Sequence, residues 1–210
     1  MKKDRLLWIT TIVCFLPIIL SLVLYDKLPE EIAIHFNETG AADNYAPKAV
    51  AAFGLPFLMA AINIFTHVTI NNDPKKMNAA SALVYMAKWS VPVLTVILMP
   101  VTLFIALGYE IPVEIIVPAI VGVVIVAFGN YLPKCKQNYT VGIKLPWTLN
   151  SEENWKKTHH MAGYLWILGG IIMIIGSCLR IRALQFTLII ILIITLIPFC
   201  YSYWLYKKGV

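Results

Sequence analysis

The segment NYTVGIKLPWTLNSEENWKKTHH, residues 138–160, lies between two runs dominated by Ile, Leu and Val, and this contrast decides the fold class. It places two Trp, two His and three Lys close together in a chain that is 60% hydrophobic. With 210 residues, a mean hydropathy of +0.77 and only 13% charged residues, the chain is far more apolar than a soluble domain. We infer a polytopic membrane protein in which this polar segment lies at a membrane face.

Six apolar runs are long enough to cross a bilayer, because a helix of about 20 residues spans the ~30 Å hydrocarbon layer. They cover residues 6–25, 49–70, 89–109, 113–132, 160–179 and 184–206. Their interiors contain no Asp, Glu, Lys or Arg, while Glu114 and His160 lie at ends and His67 lies within a turn of one. Kinks are expected at the prolines inside these runs, Pro17, Pro56, Pro92, Pro100, Pro118 and Pro198. The predicted fold class is an all-α membrane protein with six transmembrane helices.

The first run could instead be a signal peptide, because Lys2, Lys3 and Arg5 precede it. Its apolar core is longer than the usual ~7–15 residues, and no small-residue cleavage pattern follows. We therefore predict that it remains in the protein as the first transmembrane helix.

Basic residues predict the orientation of the chain. If the N-terminus is cytoplasmic, only four of the 17 Lys and Arg residues fall on outer segments, namely Lys27, Lys48, Arg180 and Arg182. The inner ones are Lys2, Lys3, Arg5, Lys75, Lys76, Lys88, Lys134, Lys136, Lys144, Lys156, Lys157, Lys207 and Lys208. Cytoplasmic loops are enriched in Lys and Arg, so both termini are predicted to be cytoplasmic. The net charge of +6 then reflects the enrichment of Lys and Arg on the cytoplasmic segments, so it is not taken as a sign of direct nucleic-acid binding.

The outer segment, residues 26–48, reads DKLPEEIAIHFNETGAADNYAPK and is longer than most connections between helices. Its acidic residues, set against two Lys, are Asp26, Glu30, Glu31, Glu38 and Asp43. The alternation in IAIHF predicts a short strand, and NETG predicts a turn in which Gly40 has a positive φ. We expect a small acidic extracytoplasmic lobe after the first helix.

The inner segment, residues 131–160, includes the opening stretch. Pro146 is expected to stop regular structure there. Asn150, followed three residues later by Glu153, has the pattern of a capping box and predicts a helix that starts near Ser151. The predicted helix runs unbroken into the fifth span.

On that helix, Trp155 and His159 share a face with Gly163 beneath them, whereas Lys156 and Lys157 turn away. A Trp, Lys or His at a bilayer edge is usually an interfacial anchor. Anchoring alone does not explain why several aromatic and hydroxyl residues cluster around one turn. The clustered residues are Trp147, Thr148, Trp155, Thr158 and His159, with Gly142 and Pro146.

Groups that could carry out catalysis are few. The candidates are His35, Glu31 and Asp43 outside, and His159 and Glu153 inside. They have no HExxH spacing, GxSxG elbow or suitable Cys–His arrangement, so an enzyme is not expected. A transporter normally needs ionisable groups near mid-membrane, and His67 is the nearest candidate. A small-solute transporter and a membrane-embedded enzyme remain the alternatives.

The four cysteines suggest no cofactor. Cys14 and Cys200 lie in spans, Cys178 at an outer helix end and Cys135 in an inner loop. No CxxC spacing points to zinc or redox chemistry, so free thiols are predicted and neither a metal nor a cofactor is expected.

The run GNYLPKCKQNYTVGIKLPWTLNSEENWKKTHHMAG, residues 129–163, resembles the signature of SdpI-type bacterial immunity proteins. That signature has an Asn, a Gly-Ile-basic step, a Pro-Trp-Thr turn, a later Trp and a Thr-His pair. The matching residues are Asn138, Gly142, Ile143, Lys144, Pro146, Trp147, Thr148, Trp155, Thr158, His159 and Gly163. The chain departs from the pattern mildly, with Lys144 where Arg is common, Leu145 where a hydroxyl residue often occurs, and His160 where a basic residue is usual.

The outer segment resembles an N-terminal module that is often joined to this signature. Its pattern is met by Leu28, Pro29, Ile32, His35 and Gly40, followed by Asp43 and Lys48. Together the two resemblances cover about residues 5–180. They imply an N-terminal membrane module, residues 1–110, and an SdpI-like membrane module, residues 111–210.

The resemblance implies a multi-pass protein of the bacterial plasma membrane that protects the producing cell from a secreted, membrane-active peptide toxin. In some members it also implies a receptor, whose inner face captures a small cytosolic winged-helix repressor once toxin is engaged outside. The toxin-facing residues would be Pro29, Glu30, Glu31, His35, Gly40 and Asp43. The repressor-facing residues would be Asn138, Gly142, Lys144, Pro146, Trp147, Thr148, Trp155, Thr158 and His159.

The basic-residue distribution yields a direct test of topology. In a Cys-free background, a single Cys introduced at Thr39 should react with an impermeant maleimide in intact cells, because the outer segment is exposed. A single Cys at Ser151 should not react. Labelling at Ser151 with protection at Thr39 would overturn the assignment of both soluble segments.

Overall fold

The computed structural model describes residues 4–37, 39–75, 78, 80–181 and 183–210. Five residues that entered the sequence analysis, Lys2, Lys3, Glu38, Lys76 and Arg182, lie outside this part. The described chain contains seven α-helices and one antiparallel hairpin. The helices are α1 (Arg5–Leu24), α2 (Leu55–Asn71), α3 (Ser81–Ala106), α4 (Val113–Tyr131), α5 (Pro146–Asn150), α6 (Glu152–Cys178) and α7 (Ala183–Lys207), and the strands are β1 (Glu31–Phe36) and β2 (Ala42–Pro47).

Six helical segments are long and apolar enough to cross a membrane. They are Arg5–Lys27, Val50–Asn71, Ser81–Ala106, Val113–Lys134, Glu152–Cys178 and Gln185–Lys207. Most of their large apolar side chains face outward, as expected for helices whose solvent is lipid. The predicted all-α, six-span fold is confirmed, and the chain is a multi-pass membrane protein.

One boundary prediction was wrong. Helix α3 begins at Ser81, whereas the apolar run suggested a start at residue 89. The residues that precede the run, SALVYMAK, are mostly good helix formers and extend the helix beyond its most apolar part. As a result Lys88 lies inside a helix and is buried, so the span interiors are not free of charged side chains.

Proline inside a span leaves a backbone carbonyl without its usual N–H donor. For one such carbonyl, a side chain of another helix supplies the donor. Pro56 has no N–H to offer the carbonyl of Ala52, which lies in the π-helical turn Val50–Gly54 that leads into α2. The hydroxyl of Ser21 on α1 donates to that carbonyl at 2.9 Å. Both Ser21 and Ala52 are buried, so the bond satisfies a group that lipid could not.

The chain forms two compact units. The first comprises residues up to Thr69 together with Met86–Pro112, and the second comprises Ile70–Tyr85 together with Val113–Val210. In the first unit, the base of the hairpin is anchored by an apolar cluster of Leu28, Ile32, Ala51 and Leu103. This cluster gives the hairpin a fixed position on the helices of its own unit.

The predicted strand and turn of the outer segment are confirmed. Strand β1 pairs with β2 in antiparallel register, and Gly40 has φ 81° in the connecting turn. The carboxamide Oδ1 of Asn37 accepts hydrogen bonds from the N–H groups of Thr39 and Ala41, which fixes the turn. The sequence ADNYAP gives little sign of β2, because Asp, Asn and Pro are poor strand formers and only pairing with β1 holds it extended.

In the second unit, α4 and α6 approach so closely that only glycine fits at their crossing. A Cβ added at Gly170 would lie 2.6 Å from the carbonyl oxygen of Gly122, and one at Gly129 would lie 3.0 Å from that of Gly163. A Cβ on Gly163 would also meet the ring of Pro133 at 2.7 Å. Small residues permit such contact between membrane helices. The two helices that flank the polar inner segment therefore form one tightly packed pair.

Candidate functional site

The signature loop, residues 135–151, connects the 3₁₀ turn Leu132–Lys134 after α4 to the start of α6. Two local predictions about it were wrong. Pro146 does not end regular structure but opens the short helix α5, because proline suits the first position of a helix. The cap of α6 is Ser151, whose Oγ accepts from the N–H of Asn154 at 3.1 Å, while Asn150 is the last residue of α5. The predicted continuous helix into the fifth span is confirmed.

Asn138 organises the first half of the loop through its side chain. Its Oδ1 accepts from the N–H groups of Thr140 at 3.0 Å and Val141 at 2.7 Å, and its Nδ2 donates to the carbonyl of Lys136 at 2.9 Å. The residue is completely buried. A carboxamide on a side chain of this length can both accept from and donate to nearby backbone groups. The Asn138 side chain therefore satisfies backbone groups that have no helix or strand partner here. Burial also raises the pKa of the neighbouring Cys135 thiol, which keeps that thiol protonated.

His159 closes the loop against α6. Its Nε2 accepts from the N–H of Ile143 at 2.8 Å, and its Nδ1 lies 2.8 Å from the carbonyl oxygen of Trp155. A carbonyl can only accept, so Nδ1 carries the proton and the ring is the neutral Nδ1–H tautomer. The indole of Trp155 stacks on the imidazole with ring centroids 4.0 Å apart, and its Nε1 donates to the Cys135 carbonyl at 2.7 Å.

Gly142 makes this contact possible. Its φ is 117°, which L-residues with a side chain rarely adopt. A Cβ at this position would lie 2.5 Å from His159 Nε2 and 3.0 Å from the Trp155 ring. The loop backbone can therefore reach the imidazole only where the chain has glycine.

Thr148 and Gln137 hold the second half of the loop. The hydroxyl of Thr148 accepts from the Leu145 N–H at 2.8 Å and donates back to the Ile143 carbonyl at 2.9 Å. The amide Nε2 of Gln137 donates to the carbonyls of Thr148 and Leu149 at 2.9 and 2.8 Å. These bonds fix the end of α5 against the start of the loop.

A further buried cluster joins α6 to α7. Asn154 Oδ1 accepts from the hydroxyls of Thr158 at 3.1 Å and Ser202 at 2.7 Å, and Asn154 Nδ2 donates to the Ser202 carbonyl at 2.9 Å. Sequence reasoning identified Thr158 but missed Asn154, Gln137 and Ser202. The spacing of Asn154 and Thr158, one turn apart beside Trp155 and His159, was the available signal.

Asp73 anchors the loop from outside it. Its Oδ2 accepts from the Tyr139 N–H at 2.9 Å and the Thr140 hydroxyl at 2.7 Å, and its Oδ1 accepts from the Lys75 N–H at 2.7 Å. Lys75 Nζ in turn donates to Gln137 Oε1 at 2.7 Å. Burial alone would raise the pKa of Asp73, but the hydrogen bonds that the carboxylate accepts outweigh burial and lower it.

The structure divides the predicted repressor-facing residues into two sets. The buried set is Asn138, Thr148, Trp155, Thr158 and His159, each at most 1% exposed. Lys144 and Pro146 are exposed, and Gly142 and Trp147 are half-buried. Trp147 stacks on Tyr206 of α7, with Phe199 and Tyr203 against its edges. The buried set shapes the loop, and the exposed side chains form its outer surface.

A groove of about 710 Å³ opens beside the signature loop. Its charged lining is Lys134, Lys136, Lys156, Glu152 and Glu153. Glu153 is already paired with Lys157 at 2.7 Å, so positive charge prevails in the groove. The lining also includes Trp155 and Gln137, both of which belong to the buried framework of the loop.

The predicted toxin-facing residues lie together on the hairpin. Pro29, Glu30, Glu31, His35 and Asp43 are exposed, and Gly40 is half-buried in the turn. Two of the acidic groups have basic partners, since His35 Nδ1 lies 2.5 Å from Asp43 Oδ1 and Lys48 Nζ lies 2.8 Å from Glu30 Oε1. The hydrogen bond to Glu30 raises the pKa of Lys48. The carboxylates of Glu30 and Asp43 are thus already engaged by neighbours within the lobe.

The described residues contain no group of three or more His, Cys, Asp or Glu side chains placed to hold a metal ion. All four cysteines are free thiols, as predicted.

These features define the class of the molecule: a multi-pass membrane protein with a small hairpin lobe and one structured polar loop between two of its spans. The model of the SdpI/YfhL protein family matches residues 134–202, and that of a domain of unknown function, DUF1648, matches residues 12–60. The Immunity protein SdpI of Bacillus subtilis (strain 168) is 30% identical over 210 residues, 99% of this chain and 98% of that protein. This chain belongs to the SdpI/YfhL family. No solved structure matches it.

The anchoring role of Asp73 predicts a pH-dependent contribution to stability. Because the folded-state pKa is lowered, the contribution is fully present above the ordinary Asp pKa of about 4 and is lost as the pH falls through the lower folded value. Asp73→Asn should lower the unfolding free energy by about 1–3 kcal/mol at neutral pH, since charge-assisted hydrogen bonds disappear. Thermal unfolding in detergent at a series of pH values measures this.

The matched control is Asp26→Asn, at an exposed position outside the loop, which should leave the melting temperature unchanged. The gap between wild type and Asp73→Asn should narrow as the pH is lowered below about 4. A gap that stays constant down to acidic pH would contradict an ionised Asp73 anchor.

Proposed function

We propose that this chain protects a bacterial cell from a secreted peptide toxin and that its signature loop captures a cytosolic repressor. The likeness to a protein named as an immunity protein carries this proposal, because it extends over 99% of the chain and includes both the hairpin and the loop. That relative is an immunity protein and not an enzyme, which also supports a non-catalytic role.

The proposal includes an orientation. Thirteen of the 17 basic residues fall on segments that would be cytoplasmic if both termini are inside. The hairpin lobe then lies outside the cell, where a secreted toxin arrives. The signature loop lies in the cytoplasm, where a repressor is found.

The hairpin has the mixed surface that an amphipathic peptide would bind. Its exposed charges stand beside exposed apolar side chains, with Ile34 40% and Tyr45 53% accessible. The strands below them are fixed by the buried Leu28 and Ile32, so the surface is preorganised. A cationic amphipathic toxin could contact Glu31 and these apolar groups together.

The signature loop has the rigidity expected of a docking surface. Its buried side chains satisfy backbone groups between residues 135 and 149, which holds Lys144 and Pro146 at defined positions on the outside. Tyr139 is 47% exposed, with Lys75 Nζ 5.4 Å from its ring centroid. Exposed aromatic and basic side chains on a fixed backbone are frequent interface hot spots. The adjoining basic groove extends this surface.

Protection is tested on the hairpin. Neutralising Glu30, Glu31 and Asp43 together should reduce the survival of a sensitive bacterium that expresses the chain and is exposed to toxin. The effect should come from the cluster, because one exposed charge typically contributes under ~1 kcal/mol. Survival curves over toxin concentration give the measurement.

The control for that experiment is Glu152→Gln with Glu153→Gln, which removes exposed acidic charge from the signature-loop end of α6 instead. This variant should protect like wild type. Unchanged survival of the hairpin variant against every toxin of this type, with the protein shown to be in the membrane, would count heavily against immunity.

Repressor capture is tested on the loop surface. Tyr139→Ala with Lys144→Ala should weaken recruitment of a small winged-helix repressor that wild type recruits to membranes, because both side chains are exposed. A loss of about 2 kcal/mol, or roughly 30-fold in affinity, is expected for a hot spot. The measurement is the fraction of repressor that sediments with membranes, scored together with protein level and toxin survival.

Two further variants separate contact from folding. Lys208→Ala removes an exposed positive charge just after α7, outside the groove lining, and should leave recruitment intact. Trp155→Ala leaves a cavity and an unpaired Cys135 carbonyl, so it should lower protein level, recruitment and survival together. Normal recruitment by the Tyr139 and Lys144 variant would exclude this surface as the docking site.

A further inference from the structure

The first unit contains a buried polar cluster to which three helices contribute. Asp4 caps the start of α1, His67 lies on α2 and Lys88 lies on α3. His67 is completely buried and Lys88 is 7% exposed. Thr10 and Asn63 are also completely buried. The Thr10 hydroxyl contacts His67 Nε2, and Asn63 Nδ2 donates to that hydroxyl. Ionisable groups in membrane-spanning helices are costly and usually functional.

The hydrogen bonds of Thr10 favour one tautomer of His67. The Thr10 hydroxyl donates its one proton to the carbonyl of Leu6 at 2.9 Å, or of Leu7 at 3.1 Å. It can therefore only accept from its other partners, Asn63 Nδ2 at 3.0 Å and His67 Nε2 at 3.1 Å. With the Thr10 proton directed to a leucine carbonyl, the neutral imidazole of His67 is the Nε2–H tautomer.

The other ring nitrogen then presents a lone pair to a carboxylate. His67 Nδ1 lies 3.5 Å from Asp4 Oδ2, and it has no hydrogen-bond donor in the described part of the chain. The same Asp4 oxygen lies 3.6 Å from Lys88 Nζ. Among the described residues, the charged groups of this cluster are Asp4, which caps α1, and Lys88 on α3. Two acceptors face each other across a gap that one proton would turn into a hydrogen bond.

We propose that His67 Nδ1 is a proton-binding site whose counter-ion is Asp4. A hydronium ion gives up one proton and leaves as water, so one O–H bond breaks and one N–H bond forms at Nδ1. The resulting imidazolium donates from Nδ1 to Asp4 Oδ2. Lys88 competes with the imidazolium for the same carboxylate oxygen. The ligand is a proton and not a metal ion, because the Lys88 ammonium stands beside the carboxylate and the described residues of the cluster include one His and one Asp, fewer than the three His, Cys, Asp or Glu of a candidate metal site.

His159 provides a natural comparison within the same chain. Both of its ring nitrogens are satisfied in the neutral form, since Nε2 accepts from Ile143 and Nδ1 donates to Trp155. Protonation would break the bond from the Ile143 N–H. The two buried histidines should therefore be opposite tautomers, and only His67 has a nitrogen ready for a proton.

Proton binding would tie together the three helices of the first unit. The imidazolium on α2 would bind the Asp4 carboxylate that caps α1. Lys88 on α3 would then share that carboxylate oxygen with the imidazolium. The site thus makes the contacts among α1, α2 and α3 depend on pH. This inference is independent of the toxin and of the repressor.

The test is nuclear magnetic resonance of the full-length protein in nanodiscs with ¹⁵N-labelled histidine side chains, assigned by His67→Asn and His159→Asn. At neutral pH the spectra should show Nε2–H for His67 and Nδ1–H for His159. On acidification, His67 should become protonated at a pH at which His159 is still neutral. Lys88→Met should raise the pH of His67 protonation by about one unit or more, since it removes a nearby positive charge.

Lys88→Arg keeps the positive charge and should leave the His67 titration near its wild-type position. Asp4→Asn should move it to lower pH, and the two Lys88 variants suffice if Asp4→Asn does not fold. A His67 ring in the Nδ1–H tautomer, protonation no earlier than that of His159, or the same titration in Lys88→Met and Lys88→Arg would each overturn the proposal.

Discussion

The hydrogen bond from the Ile143 N–H to His159 Nε2 is the interaction on which the signature loop depends. It requires the neutral Nδ1–H ring, which the Trp155 carbonyl selects, and it requires glycine at 142, because any Cβ would strike the imidazole. The stacked indole of Trp155 then fixes the plane of the ring. The Gly, Trp and His of the motif are thus parts of one contact, and none can be replaced without loosening the other two.

The same logic extends to the rest of the loop. A segment of this length without long helices or strands has many backbone groups that need partners once they are buried. Asn138, Thr148 and Gln137 supply those partners from within the loop, and Asp73 supplies them from the segment before α3. The loop keeps its shape through side chain-to-backbone bonds, which explains why its recognisable residues are polar and yet mostly hidden.

The sequence predicted what depends on local composition. Apolar runs located the six spans, the alternation in IAIHF located β1, and the spacing of Trp155 and His159 placed them on one helix face. It failed where a distant partner decides the outcome. Strand β2 exists because β1 pairs with it, and Asp73 contacts Tyr139 from 66 positions away, which no local pattern reveals. Lys88 was assigned to a loop because charge was taken to end a span, whereas Asp4 accommodates it within the helix.

Ser21 and Pro56 illustrate a dependence of a different kind. The proline frees the Ala52 carbonyl and the serine hydroxyl, contributed by another helix, occupies it. Loss of the hydroxyl alone would remove this donor from a buried carbonyl, whereas a residue with an N–H at position 56 could supply a second one. Substitution of Ser21 should therefore cost less when position 56 is not proline. On this physical ground we expect the two positions to be coupled.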